Sequence, residues 1–420
     1  MTEAVGEPPS TRWRAVRLIV AIWATWAVCL LAFQEIVVAR LEPQRPDSVL
    51  EWTVLETGLR RFAGRPYLAE PVFNSHIAFD SEYYLSIAVT GYEDPEVPQY
   101  ISPIGESVPL NYAFLPAYPL VMRIVAAPAA ALGMEPLTGA AFAGVAVSLV
   151  AALFAMLALH HLARPHLGED GGVRAAFYLL IFPTGFFLAQ VYSEAFFLAA
   201  AFGALAFLAA SRPLPAGVLA IVAVLTRPVG LALVFAISIA LVLAVVRWRR
   251  GEGEAPTWVE WGSWAFALIG PVVAYAAWAT SAMGEAFAVV QREYFGRELF
   301  NLEAAWTGWS NALAGFGDAL PETQVYYGLE VVAVVGAVIA CLWAVRRWPA
   351  AAAFGLATLA VSLASGEPQG MVRYALAVPP IFLGLARLGA SPAFDRGWTI
   401  ASVLLLALLT ALYSVDFWVA

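Results

Sequence analysis

The chain alternates long apolar runs with short polar breaks. The runs fall at about 17–39, 112–133, 138–162, 173–190, 192–210, 214–246, 259–281, 327–345, 349–365, 372–389 and 398–418. A helix needs ~20 apolar residues to cross a bilayer, where every backbone polar group must be satisfied internally. The pattern therefore predicts an all-α integral membrane protein with about 11 to 12 transmembrane helices. Two runs leave a choice open. The 214–246 run exceeds a single span and is interrupted by Arg227 and Pro228, giving one long tilted helix or two short ones around a break. The 112–133 run holds Pro116, Pro119, Arg123 and Pro128, so a broken or partly embedded helix fits as well as a clean span.

Two polar stretches interrupt this rhythm. Residues 40–111 carry 11 acidic and five basic residues together with Trp52, Phe62, Tyr67 and Phe73. That is too long for a turn and too aromatic for a free linker, so a cap of short amphipathic helices on the membrane surface is expected. One of them runs from Ser81 to Val89, with Tyr84, Ile87 and Ala88 near one face. Residues 282–326 form a second polar loop. Residues 1–16 read as a cytoplasmic tail and 17–420 as a single transmembrane domain.

Arginine placement orients the chain. Arg14 and Arg17, then Arg247, Arg249 and Arg250, then Arg346 and Arg347, mark cytoplasmic turns. The 40–111 loop, the Gln190–Glu194 turn, the Arg227 break, the 282–326 loop and the 365–373 segment then share the extracytoplasmic face of a plasma (inner) membrane. A different parity in the first half would exchange the sides of Gln190 and Arg227.

Composition adds exclusions. Of 420 residues, 61% are hydrophobic and 13% charged, whereas soluble domains are roughly one quarter charged. Net charge is -8 with no long basic tract, which argues against a nucleic-acid partner. Cys29 and Cys341 lie inside apolar runs and say nothing of redox compartment. His76, His160, His161 and His166 have no metal-ligand spacing. No phosphate-binding glycine loop, dinucleotide fingerprint or zinc-protease motif is present, and no internal repeat of the transporter kind is evident.

Ionisable residues inside apolar sequence are costly and hence functional candidates. The stretch 74–92, NSHIAFDSEYYLSIAVTGY, holds Asp80, which either caps the following helix or serves as a general base toward a hydroxyl. Glu82 sits beside it, Tyr84 shares its helical face, and His76 lies four residues before it, where it can orient it. Gln190, Tyr192, Ser193 and Glu194 are packed between two apolar runs and either pair locally or line a cavity. Arg227, just before a helix breaker, either snorkels or contacts phosphate through its planar donor set. Arg373, with Glu367, Gln369 and Tyr374, opens an apolar run where the helix dipole disfavours a cation, so an acidic or phosphate partner is expected. Gln291, Arg292, Glu293, Arg297 and Glu298 read as a solvated surface, with Arg292 retained as a third phosphate candidate. No cofactor is required. A divalent ion on Asp80 and Glu82 is the minor reading, because two carboxylates are too few oxygen ligands.

Three stretches together resemble a known family: FDSEYYLSIAVTGY (79–92), NYAFLPAYPLVMR (111–123) and FPTGFFLAQVYSEAFFLAAAFGALAF (182–207). LTRPVGLAL (225–233), the Gln291 region, MVRYALAVPPIF (371–382) and the terminal FWVA complete the set. The chain is similar to bacterial relatives of the mannosyltransferase that adds the second mannose of GPI anchors, within the GT-C superfamily of multispanning glycosyltransferases. Phe79 stands where that family usually has Trp, and Ala78 where Arg is common. The resemblance implies a GT-C type bundle with a large first extracytoplasmic loop, and inverting transfer of a sugar, commonly mannose. The donor would be a polyprenyl-phosphate-linked sugar and the acceptor a cell-envelope hydroxyl, both met at the membrane lipid. It makes Asp80 the catalytic base, and it places Tyr192 and Glu194 in the family's Tyr-Ser-Glu element. Arg227 and Arg373 fall on basic positions, assigned to donor phosphate on charge alone. The competing reading is a lipid-linked sugar flippase or small-solute transporter. A third is a structural subunit of an envelope assembly.

Overall fold

The computed structural model describes residues 9–41, 75–95, 97, 99–101, 107–252, 255–298, 301–366, 369–415 and 417–419. Most of the expected cap, 42–74, therefore lies outside the described residues, as do residues 1–8 and Glu367. The rest is a helical membrane bundle. Six described helices are long and apolar enough to cross a bilayer: Trp13–Arg40, Pro136–Ile181, Pro228–Arg249, Trp258–Ala279, Pro321–Ala344 and Pro392–Ser414. Met371–Ala377 and Pro379–Leu388 make a seventh if the pair, bent by 81°, counts as one span.

The expected 11 to 12 crossings thus correspond to apolar elements rather than to full-length helices. Ala117–Ala131, Glu194–Ala209, Pro213–Thr226 and Pro349–Leu363 are shorter apolar helices. Proline explains much of this. Pro213, Pro349 and Pro379 each open a helix, where the missing N–H is harmless. Pro228 ends the preceding one, which resolves the 214–246 run into two helices around Arg227. The 46-residue Pro136–Ile181 element is itself two helices, broken at Gly168 with φ 72° and ψ 175°, a conformation that glycine adopts without a Cβ penalty.

Small residues let the helices approach closely. Ala151, Ala152, Ala155, Ala201, Ala204, Ala220 and Ala236 are all buried in one central cluster, as expected where packing rather than water exclusion holds helices together. Gly217 lies against Ala267 so tightly that an added Cβ would come within 2.7 Å of its Cα.

The visible part of the cap differs from expectation. Helix Ser81–Val89 does not lie on the surface with one apolar face. Ser81 and Tyr83 through Ala88 are all buried. Tyr83 stacks on Phe114 at 5.0 Å, and Tyr84 meets Phe114, Tyr118 and Tyr192 edge-on. Arg123, unexplained within an apolar run, ends that helix: its Nε donates to the Ala88 carbonyl at 2.6 Å and its Nη2 to the Ile87 carbonyl at 2.9 Å. A two-stranded antiparallel ribbon, Gln99–Ile101 paired with Ser107–Pro109, adds a non-helical element that the apolar pattern did not reveal. It precedes a 3-10 turn, Leu110–Ala113.

Candidate active site

Four chain breaks meet at one end of the bundle: residues 75–80, the polar turn 190–194, the Arg227 break and the bent segment 369–374. They contribute to a half-open cavity of about 980 Å³ lined by Asp80, Tyr84, Glu194, Arg227, Arg297 and Arg373, among others, with residues of the 284–298 segment forming much of its wall. A pocket of this size with few convergent polar groups is the kind that holds a ligand.

Asp80 occupies the N-cap position of helix Ser81–Val89, but its side chain makes no capping hydrogen bond. Its Oδ2 accepts from Arg373 Nη1 at 3.4 Å. Its backbone N–H donates to the Tyr192 hydroxyl at 3.2 Å, and that hydroxyl donates to the Ala78 carbonyl at 3.1 Å. The residue just before, Phe79, has φ 53°, unusual for a bulky side chain and a local strain. Its ring packs edge-on against Trp418 at 5.1 Å, which holds the turn in that conformation.

Glu194 is the first residue of helix Glu194–Ala209, where a carboxylate is favoured by the helix dipole. It is 3% exposed, and its Oε1 accepts from Arg227 Nη1 and lies 3.4 Å from Arg373 Nε. The site core is therefore two carboxylates interleaved with two guanidiniums. Arg227 reaches it because its own backbone is extended at the end of Pro213–Thr226.

Arg373 lies in the last turn of the four-residue helix Met371–Tyr374, not at the start of a long one, so the dipole argument for it falls away. It is held there by Glu330, fully buried in helix Pro321–Ala344, whose carboxylate accepts from Gly370 N at 2.8 Å and Val372 N at 2.7 Å. Tyr374 lies under three guanidiniums: Arg227, Arg297 and Arg373 are 5.2, 5.5 and 5.6 Å from its ring centroid.

Several expected residues are placed otherwise. His76 does not orient Asp80. Its Nδ1 pairs with Gln190 Oε1 at 3.1 Å, and Gln190 Nε2 donates to Gln34 Oε1 at 3.0 Å. Gln34 Nε2 in turn donates to the Ser75 carbonyl at 2.7 Å and to Ser414 Oγ at 3.2 Å. His76 and Gln190 are thus a buried brace tying the Asp80 loop to the first and last helices, and neither lines the cavity. Burial holds the His76 imidazole down to about 4, keeping it neutral near pH 7. Tyr192 supports Asp80 from behind. Tyr84 lines the cavity and its hydroxyl pairs with Ser193 Oγ at 2.7 Å; burial, then the Glu194 charge, push its phenol up. Glu82 is half-buried and does not line the cavity. Arg292 lines the rim, exposed, and pairs with Glu293 at 2.7 Å.

Glu330 and the inward position of Arg297 escaped the sequence reading. A glutamate inside an apolar run was the available signal for the first. The second stood in a charged stretch that reads as solvated. Among the described residues no three His, Cys, Asp or Glu side chains cluster as a metal site.

Residues 66–246 match the model of the mannosyltransferase (PIG-V) family. That segment includes Asp80, Tyr84, Tyr192, Glu194 and Arg227, and stops short of Arg297 and Arg373. No curated protein sequence matches the chain. Among solved structures, the chain is similar to ArnT from Cupriavidus metallidurans bound to undecaprenyl phosphate. That similarity has a TM-score of 0.48 and 15% identity, over 86% of this chain and 64% of that one. It is also similar to the Archaeoglobus fulgidus oligosaccharyltransferase in complex with Zn and sulfate (TM-score 0.43, 13% identity, 82% and 50% covered). AglB from the same organism, with an inhibitory peptide and a dolichol-phosphate, gives a TM-score of 0.39 and 15% identity, with 93% and 55% covered. The chain spans less than two thirds of the length of each.

Proposed function

We propose that this membrane protein is an inverting glycosyltransferase that moves a sugar, mannose by family resemblance, from a polyprenyl-phosphate donor to a hydroxyl acceptor. The observation that carries the reading is Asp80, a carboxylate freed from capping duty, opening on a cavity that also holds the guanidiniums of Arg227, Arg297 and Arg373. In the step envisaged, the acceptor hydroxyl attacks the anomeric carbon while Asp80 takes its proton. The bond from that carbon to the phosphate oxygen breaks, and polyprenyl phosphate leaves with the electron pair, stabilised by guanidinium. Arg373 holds the Asp80 carboxylate toward the cavity, while Tyr192 fixes its backbone. The match of residues 66–246 to a mannosyltransferase family supports the sugar class. The proposed location is the extracytoplasmic face of the plasma membrane, because Arg247 and Arg249 end the candidate span Pro228–Arg249, whose other end is the cavity-lining Arg227 break. No cofactor is assigned a part in this step.

The test is transfer of radiolabelled mannose from defined polyprenyl-phosphate donors by the purified full-length protein, with the product identified. Labelled glycoside appearing in wild type supports the reading. Movement of intact lipid-linked sugar across vesicles without bond cleavage would replace it with the flippase reading.

A further inference from the structure

Three arginines face the Tyr374 ring, but their charges are not in the same state. Arg227 and Arg373 are matched against Glu194 and Asp80, two cations to two carboxylates. Arg292, on the rim, is matched by Glu293. Arg297 differs. Among the described residues its guanidinium has only neutral oxygens: Nη1 donates to the Tyr374 hydroxyl and Nη2 to the Gln369 carbonyl at 3.4 Å. The neighbouring Glu298 is exposed and accepts from Asn301 Nδ2 at 3.0 Å.

Nor is Arg297 on a loose surface loop. Its N–H donates to the Gln291 carbonyl at 2.8 Å, and Glu298 N donates to the Ser365 carbonyl at 3.0 Å. Gly366, with φ 114°, passes so close to the loop that a Cβ there would stand 2.5 Å from the Gly296 carbonyl oxygen. These contacts fix a half-buried cation inside the cavity, and among the described residues it is the one lining arginine that no carboxylate meets at ion-pair distance, although Glu298 lines the cavity beside it. Desolvating an unmatched cation costs free energy that an anionic ligand would recover.

We infer that Arg297 is the residue that takes the anionic phosphate of the lipid donor, exchanging the Tyr374 hydroxyl for a phosphate oxygen. Arg227 and Arg373 then act chiefly to hold Glu194 and Asp80. This rests on the donor reading above and changes its expected phosphate contacts, adding a residue that lies outside the family match. The guanidinium suits the task because it offers several donors in a fixed plane, where an ammonium is a point charge.

The experiment measures equilibrium binding of undecaprenyl phosphate, and separately of inorganic phosphate, to the purified full-length protein in detergent. It compares wild type, Arg297→Ala, Arg297→Gln, Arg297→Lys and, as a charge-matched control, Arg346→Ala. Expected is at least a tenfold (~1.4 kcal/mol) loss of undecaprenyl phosphate affinity in the Ala and Gln variants. Partial retention is expected in the Lys variant and no change in Arg346→Ala, with thermal midpoints held. Equal binding by wild type and a folded Ala or Gln variant overturns the inference and leaves the donor reading standing. Failure of wild type to bind the lipid removes the donor reading itself. Inorganic phosphate binding as tightly as the lipid, with the same dependence on Arg297, overturns the lipid source of the anion. Should Arg297→Ala and Arg297→Gln melt early, Tyr374→Phe decides: it frees Arg297 without removing its charge and is expected to bind undecaprenyl phosphate at least as well as wild type. A tenfold loss there overturns the exchange.

Discussion

Glu194→Gln is the most informative single change, because one carboxylate serves two guanidiniums. At an effective dielectric of ~20, a charge pair at the 3.4 Å separation of Glu194 Oε1 and Arg373 Nε is worth about 5 kcal/mol before desolvation is counted. Gln keeps an oxygen acceptor but no charge, so Arg227 loses its carboxylate and Arg373 retains only Asp80. Removing one partner from a buried pair costs about 3–5 kcal/mol. With ~2.1 cal/mol/K of unfolding entropy per residue over 420 residues, that is a fall in melting midpoint of roughly 3–6 °C. The assay is thermal unfolding in detergent followed by tryptophan fluorescence. The double variant Glu194→Gln with Arg227→Gln should recover part of the loss, since it removes the stranded cation along with its partner. A midpoint shifted by less than about 1 °C in the single variant, or a double variant no better than the single, would refute the reasoning.

Other outcomes follow from the same geometry. Asp80→Asn should lower kcat for sugar transfer by about 10²–10⁴-fold, the usual worth of a general base, with a smaller fall in melting midpoint than Glu194→Gln, because Asp80 meets one guanidinium and Glu194 meets two. Retained turnover would remove Asp80 from the base role. His76 is buried neutral, with its folded value at about 4 below the ordinary 6.5. Its contribution is therefore complete above pH 6.5 and lost as pH falls toward 4, amounting to about 3 kcal/mol. Melting midpoints measured across that window should slope less in His76→Gln. Glu330→Gln should weaken the two backbone hydrogen bonds at Gly370 and Val372, by about 1–3 kcal/mol in all. Because Arg373 is carried on that turn, transfer should slow together with the drop in midpoint. A variant that melts early yet turns over normally would separate Glu330 from the site.

Much of this protein is written locally in the chain. Apolar runs dictate a membrane bundle because the bilayer leaves a helix as the simplest way to satisfy the backbone. Pro228 after Arg227 dictates the break there, since proline cannot continue the hydrogen-bond ladder. Asp80, Glu194, Arg227 and Arg373 stood out for a related reason: a charge in apolar sequence must find a partner or a ligand. What the sequence could not supply is which charge meets which. Asp80 and Arg373 are 293 residues apart, and only the packing of helices between them decides that they touch. The same packing turned His76 and Gln190 from candidate site residues into a brace, and buried a helix expected on the surface. It also brought Arg297 inward from a charged loop, since whether a charge is solvated depends on what packs over it.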